Sequence, residues 1–208
     1  MAVRRSLRMI ETGVGTARVR RATPSGASSA PLLVLGHGAG GGVEAGDLQQ
    51  VTAAALAAGF PVVLVDQPWR VAGRQVAPRP ATLDAAWVEV LARLRSRGPI
   101  VAGGRSAGAR VACRTAAEVG AAGVLALAFP LHPPGRPEAS RADELAGAGC
   151  PTLVIQGDRD PFGSAAEVAG RVPSVGVVEV VRGDHSLVRG DLAAVLPRMV
   201  EFLHGFAE

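Results

Sequence analysis

The sequence predicts an α/β fold: a mostly parallel central sheet with an N-terminal antiparallel hairpin, helices on both faces and no cap domain. Three observations predict it. From Leu32 onward, short apolar runs alternate with longer stretches of helical periodicity, the pattern of a parallel sheet covered on both sides. Ahead of Leu32, two partly alternating segments flank a glycine turn. Between Pro130 and Pro151 the connection is too short to hold an inserted domain. The 208 residues suit one domain, 1–208, with a substantial core.

Taken in order, Leu7–Glu11 and Ala17–Ala22 form the hairpin, joined through Gly13-Val14-Gly15, and Thr23–Pro31 is a loop. Leu32–Gly36 is a strand. Leu48, Val51 and Ala55 mark one face of a helix that Gly59 ends. Pro61–Asp66 is the next buried strand. Thr82 is the expected N-cap of a helix whose Leu83, Trp87, Val90, Leu91 and Leu94 make an apolar stripe, stopped by Gly98-Pro99. That stripe assigns Trp87 to the core. Pro99–Gly103 is a strand, Ala109–Glu118 a helix ended by Gly120, and Gly123–Phe129 a strand. One short helix fits at Ala142–Ala146. Val154–Gly157 and Val177–Val181 are further strands. The last helix carries Leu192, Leu196, Met199, Val200 and Leu203, with Pro197 near its start or kinking it.

Composition excludes more than it proposes. All 22 cationic residues other than histidine are arginine, and lysine, asparagine and tyrosine are missing altogether. Codons for those three are AT-rich, so a GC-rich genome explains the bias and the net charge of +4 without a basic partner. The arginines are spread along the chain and aromatics are scarce, which argues against nucleic-acid binding. No apolar run is long enough to span a bilayer, and the N-terminus lacks the apolar core and cleavage site of a signal peptide. A cytoplasmic location is expected. Cys113 and Cys150 match neither a disulfide framework nor a metal cluster.

The most informative residues are Gly104-Arg105-Ser106-Ala107-Gly108, a G-x-S-x-G between a strand and a helix. A serine on such a sharp turn takes an unfavourable backbone conformation, and glycines two positions away remove side chains that would collide. The following helix points its first amides at a developing oxyanion. The competing reading is a glycine-rich turn with an incidental serine. Against it, Asp158-Arg159-Asp160-Pro161 follows one strand and Gly183-Asp184-His185-Ser186 follows the next. Serine, acid and histidine thus stand in the chain order of an α/β-hydrolase triad. Serine needs a base to become a good nucleophile, and the base needs an acid to fix its tautomer. Upstream, His37-Gly38-Ala39-Gly40-Gly41-Gly42 follows a strand, where an oxyanion hole is built from the amide of Ala39 together with that of Ala107.

These motifs resemble the small, lidless α/β-hydrolases related to dienelactone hydrolase. The similarity extends from Leu32 to the C-terminus and also rests on Asp66-Gln67-Pro68-Trp69-Arg70, Phe129-Pro130-Leu131-His132-Pro133-Pro134-Gly135 and Gln156-Gly157-Asp158-Arg159-Asp160-Pro161-Phe162-Gly163. Within that group the chain looks most like the branch shared with the hydrolase-like domain of a nuclear non-specific-lethal chromatin complex subunit and with testis-expressed homologues. The resemblance implies the α/β-hydrolase fold. It also assigns the acid to Asp160, three residues after Gly157, leaving Asp158 to cap the turn or pair with Arg159. Dienelactone hydrolases carry cysteine at the elbow where this chain has Ser106, so their lactone substrate is not carried over.

His185 is the expected base, because, unlike His37 and His132, it follows the last strand, on a loop able to fold over the serine. His37 is expected to brace the oxyanion turn and His204 to lie on the surface. Trp69, Arg70, Leu131, His132, Phe162 and Leu187 are the expected substrate-binding wall. Arg105 is expected to pair with a buried acid, Asp66 being one candidate. The expected activity is that of a serine hydrolase using Ser106, His185 and Asp160, with no cofactor and no metal, on a small-molecule acyl substrate. Acyl transfer or perhydrolysis with the same residues is the near alternative. A non-catalytic interaction module is the distant one.

Overall fold

The computed structural model describes residues 2–27 and 29–207. Its strands are β1 (Val3–Thr12), β2 (Gly15–Pro24), β3 (Leu32–Gly36), β4 (Val62–Asp66), β5 (Ile100–Arg105), β6 (Gly123–Leu127), β7 (Thr152–Gly157) and β8 (Gly176–Val180). They form one sheet in the order β1-β2-β4-β3-β5-β6-β7-β8. The β1–β2 hairpin is antiparallel, β2 runs antiparallel to β4, and every pairing from β4 to β8 is parallel. This is the α/β-hydrolase fold, without a cap: between β6 and β7 the only helix is the five-residue α5 (Ala142–Ala146).

Period-two alternation within the apolar strands feeds two cores. Leu32, Val34, Val63, Val65, Ala102, Val124 and Ala126 face one side, under α3 (Pro80–Ala92), α4 (Ala107–Thr115), α5 and α6 (Ala165–Arg171). Leu33, Leu35, Val62, Leu64, Val101, Leu125 and Leu127 face the other, under α1 (Gly46–Ala57) and α7 (Leu192–His204). A strand buried on both faces must be apolar at every position, which is why these read as continuous runs. Trp87 is buried in the first core, as its helical stripe requires.

Several local expectations need correction. Helix α3 starts at Pro80 with Arg79 at the N-cap, because proline suits the first helical position, where no amide partner is needed; Thr82 lies inside the first turn. Regular helix after the elbow begins at Ala107 and ends at Thr115. The one-turn α2 (Pro68–Val71) and helix α6 were not anticipated, although Ser164 and Glu167 form a capping box that marks the start of α6. Pro197 lies within α7. Strand β1 begins at Val3, four residues before the alternation becomes visible, since arginines populate both faces of this edge strand.

Candidate active site

The candidate catalytic residues gather at the carboxyl ends of the parallel strands. Ser106 sits between β5 and α4 with φ 54° and ψ −111°, a conformation that costs a non-glycine residue about 1–3 kcal/mol. Its neighbours permit the turn. A Cβ on Gly104 would stand 2.5 Å from the Gly36 carbonyl oxygen, and one on Gly108 would meet the same atom at 2.5 Å. The elbow therefore packs directly against the end of β3, and only glycine fits at either position.

Ser106 Oγ lies 2.9 Å from His185 Nε2, and His185 Nδ1 lies 2.9 Å from Asp160 Oδ2. With the ring proton on Nδ1, the hydroxyl donates to Nε2 and the ring donates to the carboxylate. Asp160, whose side chain is fully buried, also accepts the Phe162 amide on Oδ1 (2.9 Å) and the Gln156 side-chain amide on Oδ2 (3.1 Å). Asp158 instead lies 3.7 Å from Arg159 Nε. Asp184 closes its own turn, accepting from the Ser186 amide and hydroxyl, a hydroxyl bond that holds its carboxyl below the usual range. Of the three nearby aspartates, Asp160 is the one that meets the imidazole.

Two residues important to this geometry were missed. Gln156 is a fully buried amide at the end of β7. It accepts from the Phe129 amide (2.8 Å) and donates to Phe129 O (3.1 Å), Gly163 O (2.6 Å) and Asp160 Oδ2. It ties the end of β6 to the acid loop. A glutamine in an otherwise apolar strand was the available signal, because a buried amide must find partners. The second is Asp47, 1% exposed in the first turn of α1, which accepts from Arg105 Nε at 2.7 Å. Arg105 pairs with this aspartate and not with Asp66, which lies 3.1 Å from Arg20. Asp66 ends β4 beside the antiparallel β2, so the hairpin's arginines reach it first. Burial pushes the Asp47 carboxyl up, against the opposing pull of Arg105 and the Leu48 amide. Arg105 Nη2 also donates to the His185 carbonyl at 2.9 Å.

On the oxyanion side, Ala39 is exposed on the glycine turn and Ala107 is the first residue of α4, whose amide has no acceptor within the helix. His37 braces this turn. Nδ1 donates to the Gly38 carbonyl (2.8 Å) while Nε2 accepts the Gln67 amide (3.1 Å), which fixes the neutral Nδ1–H tautomer. Burial is the main cause that holds the His37 pKa below its ordinary value.

The expected wall divides. Phe162 is half-buried and lies on the His185 ring, centroids 4.2 Å apart. Arg70 is exposed beside the glycine turn, its Nε 3.7 Å from where a Cβ on Gly42 would stand. His132 is held in its turn, Nδ1 donating to Pro133 O (2.9 Å) and Nε2 3.5 Å from Glu167 Oε1. Trp69, Leu131 and Leu187 are buried core residues, 5%, 1% and 0% exposed. The Trp69 indole rests on the His37 ring, and Leu187 pins the His185 loop into the α1–α7 core.

A positive-φ serine at a strand–helix turn, within reach of a histidine beyond the last strand, defines the α/β-hydrolase class. The chain belongs to the α/β hydrolase domain family, whose model matches residues 29–192. No curated protein sequence matches it. Among solved structures it is similar to a dienelactone hydrolase from Anabaena variabilis, at 18% identity and TM-score 0.78, covering 100% of both chains. It is also similar to an α/β serine hydrolase without a lid from Xanthomonas campestris, at 18% identity and TM-score 0.76, covering 100% of this chain and 98% of that one. Est1E from Butyrivibrio proteoclasticus superimposes with TM-score 0.77 at 15% identity, covering 96% and 98%. At these identities the likeness is one of fold. Among the described residues no helix is long and apolar enough to cross a membrane.

Proposed function

We propose that this chain is a serine hydrolase that cleaves an ester, thioester or similar acyl bond through a Ser106–His185–Asp160 triad. The observation that carries the reading is the relay of two 2.9 Å contacts, serine to imidazole to buried carboxylate, on a strained elbow. Ser106 Oγ attacks the acyl carbon as its proton passes to His185 Nε2. Asp160 holds the Nδ1–H and stabilises the imidazolium. Negative charge then gathers on the former carbonyl oxygen, where the amides of Ala39 and Ala107 stabilise it by about 3 kcal/mol each. The intermediate collapses as Nε2 returns the proton to the leaving oxygen or sulfur. Water, deprotonated by the same nitrogen, releases the acyl group and restores Ser106.

Phe162 and Arg70 are the side chains of the expected wall with surface to offer a substrate; Trp69, Leu131 and Leu187 act from beneath by holding the loops. The motifs around Trp69, Leu131 and Phe162 support a place in the branch that includes the chromatin-complex subunit's domain. Both β1 and β8 belong to the one sheet, which supports reading 1–208 as a single catalytic unit. Turnover of p-nitrophenyl acetate by the wild type, lost in a folded Ser106→Ala variant, tests the reading. Equal turnover in both, or none in either across short esters and thioesters, would contradict it.

A further inference from the structure

At the sheet's other edge, far from Ser106, lies a groove of about 920 Å³ between the hairpin and the turn after α3. Strand register explains how it forms. Arg4, Ser6 and Arg8 alternate along one face of β1, opposite Thr23, Arg21 and Val19 of β2. Arg95, Ser96 and Arg97 supply the facing wall. The two walls are joined where Arg21 Nη1 donates to the Arg95 carbonyl at 2.6 Å. Ala22 pairs with Val62, the first residue of β4, so this is the amino edge of the parallel strands, opposite the elbow.

The lining is one-sided in charge. Five arginines (4, 8, 21, 95 and 97) and the hydroxyls of Ser6, Thr23, Ser25 and Ser96 line the groove, and its described lining contains no aspartate or glutamate. Among the described residues none of these five arginines lies within ion-pair distance of a carboxylate, whereas Arg20 meets Glu44 and Asp66, Arg114 meets Asp84 and Glu144, and Arg110 meets Glu144. Burial first, and then the charge of Arg4, pulls the Arg21 pKa below its ordinary value. Arginine on an exposed edge strand deters sheet pairing, which accounts for Arg4 and Arg8. It does not account for Arg21, Arg95 and Arg97, which lie off that strand.

We propose that this groove binds a ligand carrying two or more phosphate groups. Guanidinium forks match phosphate oxygens two at a time, and hydroxyls can complete the shell. Five cations exceed what one phosphate can neutralise, so linked phosphates fit the charge. The described lining has no aromatic side chain to serve as a stacking platform for a base, and recognition falls on the phosphates. The volume lies within the range of small-molecule sites. This inference does not depend on the hydrolase reading.

Calorimetric titration of the whole protein with inorganic tripolyphosphate tests it. Tripolyphosphate is expected to bind at least about tenfold more tightly than orthophosphate, and more weakly as salt is raised. Arg4→Gln with Arg21→Gln is expected to weaken binding about tenfold, and Arg8→Gln with Arg97→Gln similarly, a second pair at exposed positions that does not perturb folding. A control pair, Arg136→Gln with Arg198→Gln, removes the same charge from arginines already paired with Glu138 and Glu201 and should leave binding unchanged. Esterase activity should be the same in all of these, so failure here is distinct from failure of the active-site reading. No heat of binding at millimolar tripolyphosphate would overturn the proposal. So would an equal loss in the control pair, or binding of a single-stranded oligonucleotide where tripolyphosphate fails.

Discussion

Asp47 and Arg105 form a largely buried ion pair that carries the His185 loop: the guanidinium holds the α1 carboxylate with Nε and the His185 carbonyl with Nη2. The same side chain lies against the oxyanion turn, where a Cβ on Gly38 would stand 2.9 Å from Nη1. One residue thus touches the supports of the proposed base and of the proposed oxyanion hole, while its neighbour, Ser106, is the proposed nucleophile.

Replacing Arg105 should therefore act on rate more than on affinity. Lysine keeps the charge but loses the planar fork, and a displacement of the base of about 1 Å can cost up to 100-fold in rate. In Arg105→Lys, kcat for a short p-nitrophenyl ester should fall about 10- to 100-fold with KM little changed. Arg105→Met should also destabilise the fold by about 3–5 kcal/mol, because Asp47 is left buried without a partner, and adding Asp47→Asn should recover part of that loss. Steady-state kinetics and urea denaturation read the two effects separately. An unchanged kcat in Arg105→Lys would reduce the pair to a packing feature.

His37 makes stability depend on pH. Its folded pKa lies below the ordinary 6.5, because burial disfavours the charged form of the ring, whose Nε2 accepts the Gln67 amide. As pH falls below about 6.5, the unfolded chain takes up a proton that the folded chain refuses, so stability drops towards the folded pKa. The melting temperature should fall between pH 7.5 and 5.5, and His37→Gln should fall less over the same interval. Parallel profiles for the two proteins would remove His37 as the cause.

At Gly108 the prediction concerns space. A methyl there meets the Gly36 carbonyl oxygen at 2.5 Å and its carbon at 2.6 Å, both backbone atoms of a central strand that cannot move cheaply. Gly108→Ala should lose about 2–3 kcal/mol, lowering Tm by about 4–12 °C. Differential scanning fluorimetry measures this directly, and a wild-type Tm would mean that β3 and α4 can separate without cost.

How much could be read beforehand depended on whether the signal was local. The elbow, the strand ends bearing Asp160 and His185, and the apolar runs are properties of short segments, and the architecture followed from their alternation. Partner choice is not local. Asp66 and Asp47 are both acids within reach of arginines, and only the approach of β2 to β4 shows that Asp66 belongs to Arg20 and leaves Asp47 to Arg105. Leu131 and Leu187 follow the right strands to line a cleft, yet both turn inward, the latter through φ +60°. Likewise, arginines that look dispersed along the chain converge once β1 and β2 pair.

Substrate size should follow from the short β6–β7 connection. With α5 the only helix between those strands, little apolar surface is available to enclose a long acyl chain. Each methylene contributes about 0.8 kcal/mol, and only where it leaves water. Across p-nitrophenyl esters from acetate to palmitate, kcat/KM should rise over the first few carbons and then level or fall. A maximum at palmitate would contradict an open site.

The central claim is that Ser106 is a nucleophile made reactive by His185. Reaction of the folded protein with a fluorophosphonate, followed by peptide mapping in a mass spectrometer, tests it most directly. The relay predicts a single covalent adduct on Ser106, absent from Ser106→Ala and formed at least about 1000-fold more slowly in His185→Ala. An unlabelled Ser106 in protein shown to be folded, or labelling that persists at the same rate without His185, would contradict it.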